Sequence, residues 1–598
     1  MEKPEADILF EVSWEVCNKV GGIYTVIKSK VDQTVKQYGD NYFLIGPYFM
    51  DKAIGLFNEQ LPPEEYRTIC KELLDEGIIV KFGKWLIRGR PNTILIEFSN
   101  YAKYKDGIKK ELWDKFKIDS LNTEYFDFDQ PVIWAYAVGK LVEKIATKFP
   151  DKKMVLQAHE WLSGPTILYL KKNKVPVSTV FTTHATTLGR TLANSHVDLY
   201  GVLNKIKPDD EAHKYNVHAK HELEKQSALN SNVFTTVSEI TGIEAENLLG
   251  KKPDIILPNG LDLRKFPTFE ELSIKHKGLK DRIKEFIMFF FFPYYTFDLD
   301  NTLIFFIAGR YEFHDKGIDV LIKSLGNLNK LLKKDKSKKT IVVFFWVPAG
   351  IRNIRPELIE NREFLKDIKS DLMEQIPDIK TRLLYLILSK KVVSEKNLLT
   401  DHFLDESEGK VMRFMRKNQI PSVSSHDLQN IDGDPILNNF KTYGLQNKKE
   451  DRIKVILYPI YLTGADGLLN TDYYESIIGS HLGIFPSFYE PWGYTPLECA
   501  ALGVASVTTD LAGFGRYIRK EIDGRKYPGI FVLDRLNKSD DEFVEILTDS
   551  LYNFVKLSKN ERISNKMAAR EFAGVADWEN FITYYIQAHN LAIKKMYS

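Results

Sequence analysis

Cysteine is scarce in this sequence, long apolar runs are few, and charges of the two signs nearly cancel. The three cysteines among 598 residues, Cys17, Cys70 and Cys499, are odd in number and far apart, which excludes a disulfide framework and a cysteine-ligated zinc cluster. The formal net charge is only +2 at pH 7, so no excess of positive charge indicates a nucleic-acid partner. We therefore expect a protein of a reducing compartment, the cytoplasm, that binds no nucleic acid.

Signals for export or membrane insertion are also lacking. Residues 1–7 include acidic side chains where a secretory signal is basic. The most apolar segment, 286–295, is interrupted by Pro293 and followed by Asp298, well short of the roughly 20 residues that a bilayer span needs. We interpret this segment as buried core that leads into the next strand, and we expect no membrane association.

Apolar, β-branched runs alternate with stretches of helical periodicity, which is typical of parallel sheets covered by helices. At 598 residues the chain is too long for one core. In the first half the predicted strands are 8–12, 42–45, 93–98, 154–158, 177–182, 233–237 and 254–258. A second series is predicted at 303–310, 340–347, 453–457, 483–486 and 505–509. The fold class is therefore α/β, with two Rossmann-like doubly wound domains and an interdomain cleft at the carboxyl ends of the strands.

The chain is predicted to divide into two domains, an insertion and a tail helix. Residues 1–268 form the predicted first domain and 269–575 the second. A charged, helix-rich stretch at about 350–452 interrupts the second domain, and we interpret it as a helical hairpin used in assembly rather than as a solvated arm. Residues 576–598 are predicted to form one amphipathic helix that packs back on the first domain.

Two carboxylates flank a predicted turn-to-helix junction in the second domain. Thr495 and Pro496 indicate the cap and first turn of a helix, and the N–H groups and dipole of a helix start suit a diphosphate. Glu490, before the turn, and Glu498, one helical turn inside, can accept hydrogen bonds from sugar and ribose hydroxyls. Taken alone, such a pair is more often a loop glutamate and a surface helix glutamate.

Cations and glycines follow two other predicted strands. Arg310 and Lys316 lie six positions apart and could both reach one diphosphate and stabilise it as a leaving group; the alternative is a surface pair. Gly21 and Gly22 open a helix after the first strand and let the backbone approach an anionic or sugar ligand, with Lys19 adding a charge.

Histidines stand at two neighbouring strand ends. His159 precedes Glu160, and His184 is followed six residues later by Arg190. A single histidine is more often structural than catalytic, but two at adjacent strand ends that face one cleft are harder to explain as structural. Asn259 and Gly260 form a predicted polar turn near the hinge, and the alternative is that they are only a turn signal. No group has metal-ligand spacing, and neither a G-x-S-x-G motif nor a P-loop occurs. We expect group transfer without a metal or other cofactor.

Together these motifs resemble those of the eukaryotic-type glycogen synthases, which are retaining glucosyltransferases of the GT-B architecture. In order and spacing the resemblance covers the chain from about 8 to 590 and is far more specific than any single motif. The matching segments are 19–24, 159–161, 183–185, 235–241, 257–261, 308–313 and 489–499.

The resemblance implies a UDP-glucose donor in the cleft and an α-1,4-glucan acceptor whose terminal 4-hydroxyl attacks with retention. The departing phosphate would help to deprotonate the acceptor, so no protein nucleophile is required. Implied catalytic residues are Glu490, which orients the glucose, Arg310 and Lys316, which hold the diphosphate, and His184, which lies under the reacting sugar. Implied donor contacts are Lys19, Gly21, Gly22, Tyr473 on the uracil, Trp492, Gly493, Tyr494, Thr495, and Glu498 on the ribose. Implied sugar-side and acceptor contacts are His159, Glu160, Arg190 and Asn259.

Two departures from the family pattern concern charge. Lys19 stands where the family usually has arginine; a lysine lacks the planar fork but still supplies a point charge. In regulated relatives the C-terminal helix carries an arginine cluster that binds glucose-6-phosphate, whereas here the last arginine is Arg570. Other contacts of that site match His276, Lys280 and His481. Without the arginines we expect no strong glucose-6-phosphate regulation.

The resemblance also suggests a homotetramer and a self-glucosylating primer protein of the glycogenin type as a partner. Two alternatives stay open. One is a related GT-B transferase that uses ADP-glucose, and the other is a catalytically inactive glucan-binding scaffold. A dinucleotide-dependent oxidoreductase is a weaker interpretation because the 19–22 loop lacks the G-x-G-x-x-G pattern.

Overall fold

The computed structural model describes residues 2–416 and 419–597, and within them two mainly parallel sheets are covered by helices. Met1 of the predicted first domain, Lys417 and Asn418 of the insertion, and Ser598 of the tail helix lie outside the described residues. No helix in the described part of the chain is long and apolar enough to cross a membrane.

The first sheet has nine strands in the order β3-β4-β5-β2-β1-β6-β7-β8-β9. The seven strands predicted in this half are present within two residues at each end. The structure adds β3 and β4, which form an antiparallel edge that the pattern does not predict because β3 is short, polar and mostly exposed. The bounds are β1 Ile8–Val12, β2 Tyr42–Pro47, β3 Phe57–Gln60, β4 Ile79–Trp85, β5 Asn92–Glu97, β6 Met154–His159, β7 Ser178–Thr183, β8 Val233–Thr236 and β9 Ile255–Ile256.

The second sheet has six parallel strands in the order β14-β11-β10-β15-β16-β17. The five predicted strands are present, and β17 extends the edge. A two-stranded antiparallel ribbon, β12 with β13, lies beside this sheet. The bounds are β10 Thr302–Ala308, β11 Thr340–Trp346, β12 Ile351–Ile354, β13 His426–Leu428, β14 Ile453–Leu457, β15 Leu482–Ile484, β16 Ala505–Thr509 and β17 Ile530–Leu533.

Helices connect the strands of both sheets. Those of the first half are α1 Gly22–Tyr38, α2 Met50–Ala53, α3 Glu64–Asp75, α4 Lys105–Phe116, α5 Gln130–Lys148, α6 Glu160–Lys172, α7 Thr187–Asn194, α8 Leu199–Val202, α9 Pro208–Lys214, α10 His218–Asn230 and α11 Glu239–Leu249. Those of the second half are α12 Phe269–Phe291, α13 Ile318–Lys334, α14 Pro356–Leu388, α15 Glu395–Leu398, α16 Asp401–Phe414, α17 Pro435–Thr442, α18 Tyr473–Gly479, α19 Tyr494–Ala501, α20 Gly513–Ile522, α21 Asp540–Lys556, α22 Lys559–Ala573 and α23 Trp578–Tyr597.

The apolar segment 286–295 is the end of α12 and the turn that follows it. Phe286 and Phe290 are buried, and the ring centroid of Phe286 lies 5.7 Å from that of Phe344 in β11. The interpretation of this segment as buried core is confirmed.

The insertion is helical from α14 to α16, which run side by side and are joined by an ion pair between Lys410 Nζ and Asp367 Oδ2 at 3.3 Å. Its predicted span of about 350–452 also includes the β12–β13 ribbon and α17. Ile436 and Phe440 of α17 are buried in the same core as α13, so this later part packs with the second domain.

The tail helix α23 lies on the first sheet. Its Trp578 indole N–H donates to Ser29 Oγ of α1 at 2.8 Å, and its Tyr585 ring lies 4.0 Å from the Lys30 ammonium. The chain crosses between the two sheets near Leu261 and returns just before α23. The two crossings pair side by side, because Leu261 N–H donates to Ala576 O at 2.9 Å and Trp578 N–H donates to Leu261 O at 3.2 Å.

Candidate active site

A cleft of about 590 Å³ lies between the two sheets. It brings together most of the predicted site residues. From the first domain these are Gly21, Gly22, Glu160, His184, Arg190 and Asn259, and from the second Arg310, Lys316, Glu490, Trp492, Gly493, Tyr494 and Thr495.

Lys316 and Glu490 meet on the wall of this cleft, although 174 positions separate them in the chain. Lys316 Nζ donates to Glu490 Oε2 at 2.5 Å. Lys316 lies in the turn between β10 and α13, and Gly317 caps that helix with φ of 66°. A Cβ at Gly317 would lie 2.0 Å from the carbonyl oxygen of Pro486, so only glycine lets this turn approach the end of β15.

Arg310 follows β10 and is exposed. Its Nη2 lies 2.8 Å from Glu312 Oε1, and Glu312 Oε2 lies 3.9 Å from Lys316 Nζ. Glu312 also lines the cleft and was missed by the sequence analysis, although it stands between the two cations in their own motif.

The start of α19 corrects one local prediction. Gly493, not Thr495, is the N-cap, with φ of 99° and no side-chain capping hydrogen bond. The left-handed backbone available to glycine turns the chain two residues earlier than a threonine cap would. A Cβ at Gly493 would lie 3.2 Å from Glu490 Cγ, so glycine also lets Glu490 lie directly beside the helix start.

Glu498 and Tyr473 contact each other beside the cleft rather than on its wall. The Glu498 carboxylate accepts hydrogen bonds from the hydroxyls of Tyr473 and Tyr474, both at 3.1 Å. Burial raises the pKa of Glu498 to about 7, against the lowering effect of these two hydrogen bonds. The Tyr473 hydroxyl is thus bonded to the residue predicted to hold the ribose.

His159 does not reach the cleft, which corrects its prediction as a sugar-side contact. It is 1% exposed, because its side chain points from the end of β6 toward buried groups of the first sheet. Its neighbour Glu160 does line the cleft, and Glu160 Oε1 accepts the backbone N–H groups of His184 at 2.9 Å and Ala185 at 3.2 Å. Glu160 therefore fixes the loop that carries His184.

Two other first-domain residues direct polar groups toward the cleft. Arg190 of α7 extends an exposed side chain into it. Asn259 is 3% exposed, and its buried Oδ1 has no hydrogen-bond partner among the described residues. A buried acceptor of this kind suits a ligand hydroxyl or N–H group.

The glycine loop before α1 is partly occupied by a side chain that the sequence analysis did not predict. Glu15 Oε2 accepts the N–H groups of Gly21 at 2.8 Å and Tyr24 at 2.9 Å. Gly21 and Gly22 line the cleft, whereas Lys19 is exposed and is not part of its wall.

The family model described as glycogen synthase matches residues 11–598. The chain belongs to the glycogen synthase family. It is 39% identical over 592 residues to a glycogen [starch] synthase of Dictyostelium discoideum, covering 99% of this chain and 67% of the relative. Identity to the human liver glycogen [starch] synthase is 37% over 598 residues, covering 99% and 84% of the two chains.

Among solved structures, the catalytic domain of Arabidopsis thaliana starch synthase IV is similar in fold. It has a TM-score of 0.51 and 13% sequence identity, and the match covers 99% of this chain and 100% of that one. The family and this fold identify the chain as a glycosyltransferase of the GT-B architecture, which confirms the predicted fold class.

A second cavity, of about 830 Å³, holds the residues that the family resemblance assigned to a sugar-phosphate site. His276, Lys280 and His481 line it, as do Arg562 and Lys566 of α22. The family pattern predicted the cations of such a site on the tail helix, after Arg570, whereas Arg562 and Lys566 come from the preceding helix, α22. Burial, with Lys280 and Arg562 nearby, lowers the pKa of Lys566 to about 7.

Within the described residues, one group of three potential metal ligands lies together: His314, Asp319 and Asp540. None of the three lines the cleft. Asp540 is also bound by Arg535 Nη2 at 3.1 Å, a cation that opposes metal binding there.

Proposed function

We propose that this enzyme transfers glucose from UDP-glucose to the terminal 4-hydroxyl of an α-1,4-glucan with retention of configuration. The observation that carries the proposal is the contact of Lys316 with Glu490 beside the start of α19, in a cleft that also contains Arg310 and His184. One small volume thus combines two cations, a helix start and a hydrogen-bonding carboxylate.

Each group has a chemical task. Arg310, Lys316 and the N–H groups at the start of α19 would hold the diphosphate and stabilise the negative charge that develops on it as it leaves. Glu490 would accept hydrogen bonds from the glucose hydroxyls and orient the anomeric carbon toward the acceptor. A phosphate oxygen of the leaving group would then take the acceptor proton on the same face.

Because fixed cations supply the positive charge, we propose that transfer needs no metal or other cofactor. EDTA should then leave the rate unchanged. We also propose a cytoplasmic location, which the three free cysteines favour.

The test of the proposed function is the release of UDP from UDP-glucose with and without glycogen. Glycogen-dependent release that ADP-glucose does not match supports the proposal. Faster turnover with ADP-glucose would instead indicate a starch-type donor, and glycogen binding without turnover would indicate a scaffold.

The raised pKa of Glu498 gives a pH prediction. Since its pKa rises from 4.5 to about 7 on folding, the folded state binds the proton more tightly than the unfolded state. Its ionisation therefore removes stability as pH rises through that window, by up to about 3 kcal/mol. Between pH 5 and 8, roughly spanning this window, the melting temperature of wild type should fall relative to that of Glu498→Gln.

Differential scanning calorimetry of both proteins across the pH range checks this. The exposed Glu571 of α22 offers a control, because Glu571→Gln makes the same carboxylate-to-amide change away from any buried site. A constant difference between wild type and Glu498→Gln at all pH values would contradict the assignment.

We further propose that α14 and α16 assemble the protein into a homotetramer. Large apolar side chains on α14 are exposed in the single chain, among them Leu384 at 58% and Leu388 at 74%, one helical turn apart. Large apolar side chains that are exposed next to one another are typical of protein interfaces. A glycogenin-type primer protein is a proposed partner that would supply the first acceptor.

The double variant Leu384→Glu/Leu388→Glu should lower the molar mass measured by light scattering, because buried charges would disrupt the interface. Lys366→Glu, at another exposed position of α14, controls for the added negative charge. An unchanged mass in the double variant would place the interface elsewhere.

A further inference from the structure

A row of buried polar groups runs behind His184 into the first sheet. It begins at Glu11 of β1, which is completely buried. The Glu11 carboxylate accepts three hydrogen bonds: from Lys30 Nζ at 2.7 Å, from Tyr42 OH at 2.5 Å and from His159 Nε2 at 2.8 Å. The tail helix covers this region, with Tyr585 against Lys30.

The row continues to the cleft through the two histidines. His159 Nδ1 lies 3.0 Å from His184 Nε2. His159 ends β6, and His184 directly follows β7, its parallel neighbour. His184 lines the cleft, and among the described residues no protein group forms a hydrogen bond with its Nδ1.

The positions of the protons on the His159 and His184 rings follow from the charge of the Glu11 carboxylate. Burial acts to raise the pKa of Glu11, but Lys30 and His159 outweigh it and hold that pKa well below its usual range. An ionised carboxylate can only accept, so His159 Nε2 must carry a proton. Burial lowers the pKa of His159, which keeps the ring neutral and leaves Nδ1 without a proton.

Because His159 Nδ1 carries no proton, it can only accept a hydrogen bond, so the Nε2–H group of His184 must donate that bond. Burial, and next the nearby His159, lower the pKa of His184 far below the usual value, so this ring is neutral too. Its Nδ1 is then left as a pure acceptor.

We propose that Glu11 and His159 are positioning residues that lock His184 in the Nε2–H tautomer, so that its Nδ1 accepts a hydrogen bond from a hydroxyl of the donor sugar. A ring free to flip or to change tautomer would present an N–H or a C–H group to that hydroxyl for part of the time. The buried carboxylate thereby selects a donor that offers a hydroxyl at this point.

The kinetic consequence rests on the proposed function and is tested with a matched pair of variants. His159→Gln keeps one donor and one acceptor at the end of the side chain, whereas His159→Met has similar length and offers neither. We expect kcat/KM for UDP-glucose to fall about 10- to 100-fold in His159→Met, as for the loss of a buried hydrogen bond, and less than about 5-fold in His159→Gln.

A double-mutant cycle separates positioning from general structure. In a His184→Ala background, His159→Met should cause no further loss, because His159 acts only through His184. Inhibition by UDP, which lacks the sugar, should be unchanged in every variant. Equal losses in both backgrounds, weaker UDP inhibition, or normal kcat/KM in His159→Met would overturn the proposal.

A measurement on the unmodified protein covers the case in which the His159 variants do not fold. Magic-angle-spinning NMR of protein with ¹⁵N-labelled histidine, assigned by the signals lost in His184→Ala, should show a protonated Nε2 and a bare Nδ1 for His184. A protonated Nδ1 on His184 would refute the proposed tautomer and the role of Glu11 and His159 in fixing it. If wild type releases no UDP from UDP-glucose, the proposed function fails, while this spectrum still decides the tautomer.

Discussion

Lys316→Ala should lower kcat for glucose transfer from UDP-glucose to glycogen about 10²- to 10³-fold, the usual loss when one electrostatic contact to a transition state is removed. Lys316 lies 2.5 Å from Glu490 on the cleft wall, where its ammonium would meet the leaving diphosphate. Glu490→Gln should cause a loss of similar size, because an amide orients the glucose hydroxyls less well than a carboxylate. Initial rates of UDP release measure both.

A neighbouring lysine provides the control for Lys316. Lys323 lies on the same helix, α13, and forms its ion pair with Asp541 of α21 rather than with a cleft residue. Lys323→Ala should therefore keep the wild-type rate. Near-normal transfer in Lys316→Ala or in Glu490→Gln, with an unchanged melting temperature, would remove these residues from the mechanism.

Arg562→Ala/Lys566→Ala should weaken the binding of glucose-6-phosphate at least about 10²-fold, since charge-assisted hydrogen bonds to phosphate contribute roughly 1.5–3 kcal/mol each. We propose that the 830 Å³ cavity binds a sugar phosphate, because α22 adds Arg562 and Lys566 to the predicted His276, Lys280 and His481. Isothermal titration calorimetry with glucose-6-phosphate measures the affinity, and transfer assays with and without it measure the response.

Lys594→Ala is the matched control for this second experiment. Lys594 lies on the tail helix, where the sequence analysis looked for regulatory charge, and it does not line the cavity. Its removal should leave binding unchanged. If wild type fails to bind glucose-6-phosphate, the cavity is not such a site and the initial expectation of weak regulation stands.

The strands and their order along the chain were predictable because each buried parallel strand corresponds to a local run of apolar residues in the sequence. The run 303–308, for example, is apolar from end to end, and Arg310 follows it at the end of the sheet where ligands bind. The β3–β4 edge escaped prediction because neither strand is a clean apolar run: β3 is mostly exposed, and Lys81 and Lys84 interrupt the apolar residues of β4.

Contacts between distant segments could not be predicted from local pattern. Nothing in the residues around Glu15 shows that its carboxylate caps α1, and nothing near His159 shows that its ring turns inward to Glu11 instead of outward to the cleft. Both depend on which strands become neighbours. The residues that line the 830 Å³ cavity were unpredictable for the same reason. Arg562 and His276 are brought together only by the packing of α22 on the rest of the second domain.

The paired crossings at Leu261 and Trp578 have a mechanical consequence. Two covalent connections that lie side by side, joined by backbone hydrogen bonds, form a hinge. Such a hinge permits one domain to rotate relative to the other about one axis and resists rotation about other axes. Rotation about this axis would bring His184 and Arg310 toward each other along one arc, so that closing the cleft would change their spacing and their relative orientation together.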